Sequence, residues 1–407
     1  MTEKIIEQLI DKGVRIPNPE TVYISSDVDI DRISGNKVTL YSGTKIMGKR
    51  SLIMDHAQIG YEAQVTLENT LVGPDSKLNG GYFQDTVLLG KNQFGSNAHV
   101  RKGCILEEQA NAAHTVGLKQ TILFPFVTLG SLINFCDCLM AGGTSRKDHS
   151  EVGSSFIHFN YTPNQDKATP SMMGNVHQGV MLNKPPVFLG GQGGLVGPAQ
   201  IGFGCISAAG SIIRKSEPRE NRLILGGGFK NASVPRKAGI YTQPGQILEH
   251  NLAYISGLFA LKAWYAHIRP LFVSGVHSRE LIKGLGENLS LCIKERIKRL
   301  VDFGEKLKIS RDILGANTKT EKSIVIDSHN RVLEKICLAQ DVFDRQDPPF
   351  LPGPNGQAFI RSVETAVANQ GKDYVRVIQN LDPADGVKGT AWLANIEKKS
   401  MDKFYKP

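Results

Sequence analysis

The chain has 407 residues, 41% of them hydrophobic, and is long enough for two or three domains with a sizeable core. It begins without the basic and apolar segments of a signal peptide, and its most apolar run, 252–261, is too short to cross a bilayer. We therefore predict a cytoplasmic protein without a membrane partner.

The net charge of +9 is unevenly distributed along the chain. Residues 236–407 carry 26 lysines and arginines against 19 acidic residues, which places most of the excess in the C-terminal part. Such a balance suits small anionic ligands, although a basic excess commonly marks only a solvated face. The basic cluster 294–299 fits the second interpretation, because its side chains spread round a helix. We predict no nucleic-acid partner.

The first segment, residues 1–20, contains a predicted amphipathic helix over 3–12. Gly13 is available as its C-terminal stop. The apolar residues on one stripe of this helix are Ile5, Ile6, Leu9 and Ile10. We expect the helix to cover the open end of the domain that follows, where unpaired strand edges would otherwise invite association.

A period of six residues dominates the stretch VFLGGQGGLVGPAQIGFGCISAAGSIIRKS, residues 187–216. Its aliphatic positions are Leu189, Leu195, Ile201 and Ile213, with Ser207 as the single interruption. Neither a strand nor a helix alone produces this spacing. Six-residue repeats are typical of a parallel β-helix, in which each repeat supplies one short strand and one corner, and inward aliphatic side chains stack into a core.

Small residues four positions after each aliphatic residue support this prediction, because a tight corner holds only small side chains. They are Gly193, Ala199, Cys205 and Ser211. Weaker six-residue patterns interrupted by loops run upstream, so we predict a β-helix over 21–235, with a chance-spaced β-sandwich as the alternative.

Beyond Pro235 the apolar spacing becomes helical. Pro244 can open one helix, and a second is predicted around 289–307. Further helices are expected around 325–343 and 384–402, separated by the loop DRQDPPFLPGPNGQ. We predict an α-helical domain over 236–407.

Two stretches resemble a known family. IHFNYTP, followed by VFLGGQGGLVGPAQIGFGCISAAGSIIRKSEPRENRLILGGG, is similar to the acyltransferase half of the bifunctional N-acetylglucosamine-1-phosphate uridylyltransferase/glucosamine-1-phosphate acetyltransferase (UDP-N-acetylglucosamine pyrophosphorylase). That family has ITCNYDG and then LVAPVTVG and AAGSVVTKDVP in the same order. The resemblance covers roughly residues 130–230. It implies a left-handed parallel β-helix, a homotrimer, and ligands bound between subunits.

The resemblance also implies the ligands and their contacts. A sugar phosphate or nucleotide sugar is the expected substrate, and acetyl-CoA or another acyl-CoA the co-substrate. Residues matched to substrate contacts are Asn134, Asn160, Tyr161 and Lys167, the last displaced by one position. Residues matched to the pantetheine arm and phosphates of the cofactor are Gly191, Ala209, Arg214 and Lys215.

The general base of the family is missing. Aligning SLINFCDCLM with the family's KVNHLSYIG places Phe135 on the catalytic histidine. Acyl transfer to an amine needs a base near the attacking nitrogen and donors near the developing oxyanion. His158 is the nearest substitute, since on a strand it shares a face with Asn160; the alternative is an ordinary strand histidine. His114 and His149 are weaker candidates.

Two functions therefore stay open. The first is an acyl-CoA-dependent transferase on a phosphorylated or nucleotide-linked amino sugar, with Asn160 positioning the substrate and His158 as base. The second is a non-catalytic sugar-nucleotide-binding or scaffolding protein. We expect no nucleotidyl transfer, because the glycine-rich nucleotide loop of the family's other half is missing. No zinc-ligand spacing occurs, so we expect no metal. The cysteines, including the pair Cys136 and Cys138, are predicted to be reduced and structural.

Overall fold

The structure, a computed structural model, describes residues 2–227, 233, 238–315, 321–344 and 351–405. Helix α1 (Thr2–Asp11) precedes a parallel β-solenoid of about 11 turns, and several helices follow the solenoid. The predicted β-solenoid with a short N-terminal helix and an α-helical C-terminal region is confirmed.

Three parallel sheets form the sides of the solenoid, and we call them faces 1, 2 and 3. Face 1 contains β1 (Tyr23–Ile24), β3 (Lys45–Met47), β6 (Val65–Glu68), β9 (Gly81–Gln84), β12 (Ala98–Val100), β15 (Val116–Lys119), β18 (Ile133–Cys136), β23 (Ile157–Phe159), β26 (Gly194–Val196) and β29 (Ile212–Ile213). Face 2 contains β4 (Leu52–Ile53), β7 (Leu71–Val72), β10 (Thr86–Leu88), β13 (Cys104–Leu106), β16 (Ile122–Leu123), β19 (Cys138–Met140), β24 (Ser171–Met173) and β27 (Gln200–Ile201).

Face 3 completes the triangle. It contains β2 (Thr39–Leu40), β5 (Gln58–Ile59), β8 (Lys77–Leu78), β11 (Gln93–Phe94), β14 (Asn111–Ala112), β17 (Thr128–Leu129), β22 (Glu151–Val152), β25 (Phe188–Leu189), β28 (Ile206–Ser207) and β30 (Leu223–Ile224). A small hairpin, β20 (Gly143–Ser145) with β21 (Asp148–His149), is inserted outside the three faces.

The six-residue period is the step from one face to the next. Leu189 lies on face 3, Leu195 on face 1 and Ile201 on face 2, and all three are fully buried. Leu195 pairs with Ile213 and Leu189 with Ser207, so residues eighteen apart stack in this region. The small residues predicted at the corners are buried as well: Gly193, Ala199, Cys205 and Ser211.

Helix α1 covers the N-terminal end of the solenoid. It contacts β1, and its Ile6 and Leu9 side chains join the core. Ile10 is 43% exposed, so the buried stripe is narrower than the sequence predicts. The solenoid core therefore extends into this helix.

The C-terminal helices are longer and more numerous than predicted. They are α3 (Pro244–His267), α4 (Val276–Gly315), α5 (Glu321–Asp344), α6 (Pro354–Gln370), α7 (Tyr374–Gln379) and α8 (Pro383–Tyr405); α2 (Val176–Gly179) interrupts the solenoid, and 3-10 turns occupy Pro19–Thr21, Ile30–Arg32 and Arg269–Phe272. The predicted loop 344–357 is wrong at its end, because α6 already begins at Pro354. Residues 345–350 of that loop lie outside the described residues.

Helix α4 lies lengthwise on the solenoid. Its contacts recur at helix-repeat spacing, so one stripe of the helix faces the coils. The contacts join Glu280 to Arg32 at 2.8 Å, the Asn288 amide to the Cys104 carbonyl at 2.8 Å, the Cys292 thiol to the Gly103 carbonyl at 3.2 Å, and Arg296 to Asp137 at 2.7 Å. The domain boundaries at residues 20 and 235 stay a prediction.

The helices bury the outside of face 2. Its outward row consists of apolar side chains that are at most 1% exposed in its central strands: Leu71, Val87, Ile105, Ile122 and Leu139. Gly284 of α4 packs so closely on Leu71 that a Cβ there would lie 2.2 Å from a Leu71 methyl carbon. Face 2 is thus a buried layer between the solenoid core and the helices. Among the described helices, none combines the length and apolarity needed to span a membrane.

Candidate functional site on face 1

Face 1 keeps an exposed outer surface over its central strands. Strand β12 shows the pattern, because Ala98 and Val100 are buried whereas His99 between them is exposed. The strand register places His99 beside Gly117 and Gly117 beside Asn134, in one outward row across three coils. Side chains of this row point away from the core.

A second outward row lies two residues further along the same strands. Lys119 pairs with Cys136, and Arg101 follows directly after β12. The Arg101 guanidinium lies 3.5 Å from the Cys136 sulfur, and the Cys136 thiol donates to the Asn134 side-chain oxygen at 3.2 Å. We call these two rows, His99, Arg101, Gly117, Lys119, Asn134 and Cys136, the face-1 patch.

Gly117 makes a gap in the centre of the patch. A Cβ built on Gly117 would have only two neighbours within 4 Å, the Ile133 carbonyl oxygen at 3.7 Å and the Asn134 side-chain oxygen at 4.0 Å. Since neighbouring strands lie about 4.8 Å apart, the His99 and Asn134 backbones are separated by roughly 10 Å across this gap. Between these two backbones, the outward position at Gly117 carries no side chain.

A buried ion pair joins the edge of the patch to helix α4. The Arg296 guanidinium donates to one carboxylate oxygen of Asp137 at 2.7 Å, and the Asn160 amide donates to the other at 3.1 Å. The side chains of Arg296 and Asp137 are only 3% and 7% exposed. Asp137 occupies a corner with φ of 60°, a conformation that Asp tolerates better than most residues. The predicted substrate residue Asn160 is therefore oriented by a helix outside the solenoid.

Cations dominate the electrostatics around the patch. Burial lowers the pKa of Lys119, and the charges of Asp137 and Glu295 partly offset that effect. Arg299 of α4 is already paired, with Glu295 at 2.8 Å and Asp302 at 3.2 Å. The predicted basic cluster 294–299 thus has no common face: Arg296 is buried, Arg299 is paired, and Lys294 and Lys298 are exposed.

His158 lies inside the solenoid. It pairs with Leu195 in the inward row of face 1, is 3% exposed, and has its Nε2 atom 2.7 Å from the Ser171 hydroxyl. Burial lowers the pKa of His158 to about 4. An inward ring does not reach a ligand on the outer surface, so this geometry favours the alternative of an ordinary strand histidine.

Phe135, which the sequence alignment places on the family's catalytic histidine, is inward as well. Phe135 is fully buried and lies 6.3 Å from the His158 ring. Because side chains alternate along a strand, a catalytic histidine at this position would face the core. Shifting the alignment by one residue puts the family's histidine on Asn134, which is outward and is not a base either.

The other predicted site residues lie at separate positions beside face 1 and do not form one cluster. Tyr161, 68% exposed, and the exposed Lys167 belong to the segment between β23 and β24. Gly191 and Ala209 stack at the corner that precedes face 1, where the Gly210 amide donates to the Gly191 carbonyl at 2.9 Å. Arg214 and Lys215 follow β29 at the opposite corner and are exposed.

The cysteines are mostly structural in character. Cys136 and Cys138 are 5% and 0% exposed, and burial raises the pKa of both thiols. All of the described cysteines are free, and among them Cys337 alone is exposed. In the described ranges, no three His, Cys, Asp or Glu residues are grouped closely enough to hold a metal ion.

Sequence reasoning missed most of the patch. His99, Arg101, Gly117 and Lys119 precede the strong hexapeptides, and sequence reasoning predicted no role for them. The signal was available in the sequence. The segments AHVR and VGLK are eighteen residues apart, VGLK and INFC are seventeen apart, and all three fall in register once the coils are aligned. Asp137 and Arg296 could not be paired from the sequence, since nothing in it predicts where α4 docks.

Comparison with curated proteins gives evidence that does not depend on the structure. No family model matches the chain. Proteins named bifunctional protein GlmU match about half of it, a length comparable to that of the solenoid. The chain is similar to the hexapeptide-repeat half of GlmU. The GlmU of Lawsonia intracellularis is 30% identical over 233 residues, 56% of this chain and 45% of that protein.

Two further relatives give the same result. The GlmU of Corynebacterium jeikeium is 25% identical over 219 residues, 54% of this chain and 40% of that protein. The GlmU of Thermotoga maritima is 26% identical over 213 residues, 52% of this chain and 42% of that protein. The chain thus spans less than half the length of these GlmU proteins, and the resemblance predicted from the sequence motifs is confirmed.

Proposed function

We propose that this protein is an acyl-CoA-dependent transferase acting on a phosphorylated or nucleotide-linked amino sugar, related in role to UDP-N-acetylglucosamine biosynthesis. The observation that carries the proposal is the face-1 patch, in which two cations and an asparagine surround the gap at Gly117. Arg101 and Lys119 suit the phosphate of such a substrate. The similarity to GlmU supports the same assignment.

Asn134 is suited to stabilise the developing oxyanion. Its side-chain oxygen accepts from the Cys136 thiol at 3.2 Å, and the N–H groups of the same amide are the donors that this role requires. As the substrate amine attacks the thioester carbonyl, negative charge grows on the carbonyl oxygen, and fixed N–H donors stabilise that charge. The C–S bond then breaks, and the coenzyme A thiolate leaves.

His99 takes the place of His158 as the base in this proposal. It is exposed on the outward row, across the Gly117 gap from Asn134, and its ring lies 5.4 Å from that of Tyr82. Tyr82 is itself held by a 2.5 Å hydrogen bond from its hydroxyl to Glu68. In the proposed reaction His99 accepts the proton of the attacking nitrogen and returns it to the leaving thiolate.

The remaining predicted residues would bind acetyl-CoA and position the sugar. Acetyl-CoA would lie along the corner formed by Gly191 and Ala209, with Arg214 and Lys215 near its phosphates. Asn160, oriented by Asp137, would position the sugar. The resemblance implies a homotrimer, which sedimentation analysis tests directly.

A steady-state assay tests the transferase. The full chain is incubated with acetyl-CoA and glucosamine 1-phosphate, and release of the coenzyme A thiol is followed. We expect turnover in the wild type and a kcat reduced roughly 100-fold or more by His99→Asn, because a positioned base typically contributes that much. His56→Asn is the matched control, since His56 lies at a distant corner and pairs with Asp75.

The second candidate function is binding of a sugar nucleotide without catalysis. Both Phe135 and His158 face the core, which favours a non-catalytic binder of sugar nucleotides if His99 is not a base. Binding of the nucleotide sugar without thiol release from the wild type would support that binder. If the wild type neither binds the nucleotide sugar nor releases the thiol, both functions are excluded.

A further inference from the structure

A cavity lies away from the face-1 patch, between the solenoid and the C-terminal helices. Its volume is about 480 Å³, which is within the range of small-molecule sites. One wall comes from solenoid corners at 89–91 and 108–109, and the other from the 3-10 turn at Arg269–Phe272, the start of α4 and helix α7. The cavity therefore forms only where the helices meet the solenoid.

Positive charge exceeds negative charge around this cavity. The cations that line it are Lys91, Arg269, Lys372 and Arg376, and the carboxylates are Glu108 and Asp373. Glu108 is already paired with Arg269 at 2.9 Å, and Asp373 accepts from the backbone N–H of Arg376 at 3.0 Å. In the part of the chain that the structure describes, Lys91 and Arg376 form no ion pair.

The wall around Arg269 is buried and charged. Arg269 is 2% exposed, and its guanidinium stacks 3.7 Å above the Tyr374 ring. Glu107 lies 3.5 Å from the same guanidinium and accepts a 2.6 Å hydrogen bond from the Tyr265 hydroxyl. The Nε atom of Arg269 has no partner among the described residues. Buried polar atoms are rarely left unpaired, and this nitrogen belongs to a residue that lines the cavity.

The rest of the lining is apolar. Leu89 of the solenoid faces Phe272, Leu281 and Ile282 across the cavity. An inorganic ion would leave this surface in contact with water, whereas an organic molecule would cover it. Two unpaired cations from different elements suit a doubly charged group better than a single carboxylate.

We propose that this cavity binds a small organic phosphate, with Lys91 and Arg376 contacting the phosphate and the apolar wall covering the organic part. The ligand would connect the solenoid to α7. The site is independent of the face-1 patch, since the two share no residue.

Calorimetric titration of the full chain tests the site. The probes are inorganic phosphate, a hexose phosphate and a nucleoside monophosphate. We expect at least one organic phosphate to bind with a Kd below about 1 mM and more tightly than inorganic phosphate. The double variant Lys91→Met, Arg376→Met keeps the aliphatic stems and should weaken that binding at least tenfold.

A matched variant separates this site from the proposed active site. Arg101→Met with Lys119→Met removes two cations from the face-1 patch. This double variant should leave the affinity of the cavity for the organic phosphate unchanged. Binding lost in the face-1 variant but kept in the cavity variant would overturn the proposal, as would the absence of binding by all three probes. The transferase assay is unaffected by either outcome, so the two proposals fail separately.

Discussion

Faces 1 and 2 have the same backbone repeat but opposite outer surfaces. In one coil, β12 on face 1 exposes His99, whereas β13 on face 2 buries Cys104, Ile105 and Leu106. In this coil the inward residues of both faces are apolar. The difference lies in the outward rows: face 2 packs against the helices, whereas face 1 leaves an exposed row, which we propose as the ligand surface.

The ion pair of Arg296 with Asp137 lies where the two faces meet, and breaking it should have the largest effect. Arg296→Met leaves a buried carboxylate without its cation, so we expect the free energy of unfolding to fall by roughly 3–5 kcal/mol. Urea denaturation measures the change. Adding Asp137→Asn removes the orphaned charge and should recover part of the loss; a loss below about 1 kcal/mol in the single variant would contradict this account.

A matched pair of isoleucines compares the outward rows directly. Ile105→Ala on face 2 removes a fully buried side chain under the helices and should cost roughly 2–5 kcal/mol. Ile157→Ala on face 1 removes a side chain that is 41% exposed and should cost less than about 1 kcal/mol. Equal losses in denaturation experiments would mean that face 1 is as tightly covered as face 2.

His158 gives a pH-dependent contrast between inside and outside. Because burial lowers its pKa from 6.5 to about 4, the unfolded chain binds a proton that the folded chain does not between these pH values. His158 therefore does not reduce the free energy of unfolding above pH 6.5, and it reduces that free energy progressively as the pH falls towards 4. We expect wild type to lose about 2 kcal/mol more than His158→Leu between pH 7 and pH 4.5.

The comparison with the leucine variant cancels the other titrating groups, including Glu107, whose pKa is raised by burial. Identical pH profiles in the two proteins would place His158 in contact with water. Retained transferase activity in His158→Leu would agree with an outward base.

Lys119 should give the smallest change in stability. Lys119 is only partly buried, so Lys119→Met is expected to alter the free energy of unfolding by less than about 0.5 kcal/mol. The same change removes a cation from the patch, so the KM for a phosphorylated sugar should rise at least tenfold. A large loss of stability with unchanged KM would assign Lys119 to packing rather than binding.

The fold could be predicted because its signal is local and repeated. Leu189, Leu195 and Ile201 recur at a fixed spacing, and inward stacking follows from that spacing alone. The patch was harder, since a shift of one residue exchanges inward and outward side chains, as at Phe135 and Asn134. Apolar runs such as CIL at 104–106 do indicate burial on both sides of face 2, but the partner helix comes from residues nearly 200 positions away.

Hydrogen exchange with and without acetyl-CoA tests most directly whether face 1 is the ligand surface. We expect slower exchange of the amides in β15, β18 and the corner at Gly191, and unchanged exchange in the strands of face 2. Protection confined to face 2 or to helix α4, or no protection on any face, would contradict the account.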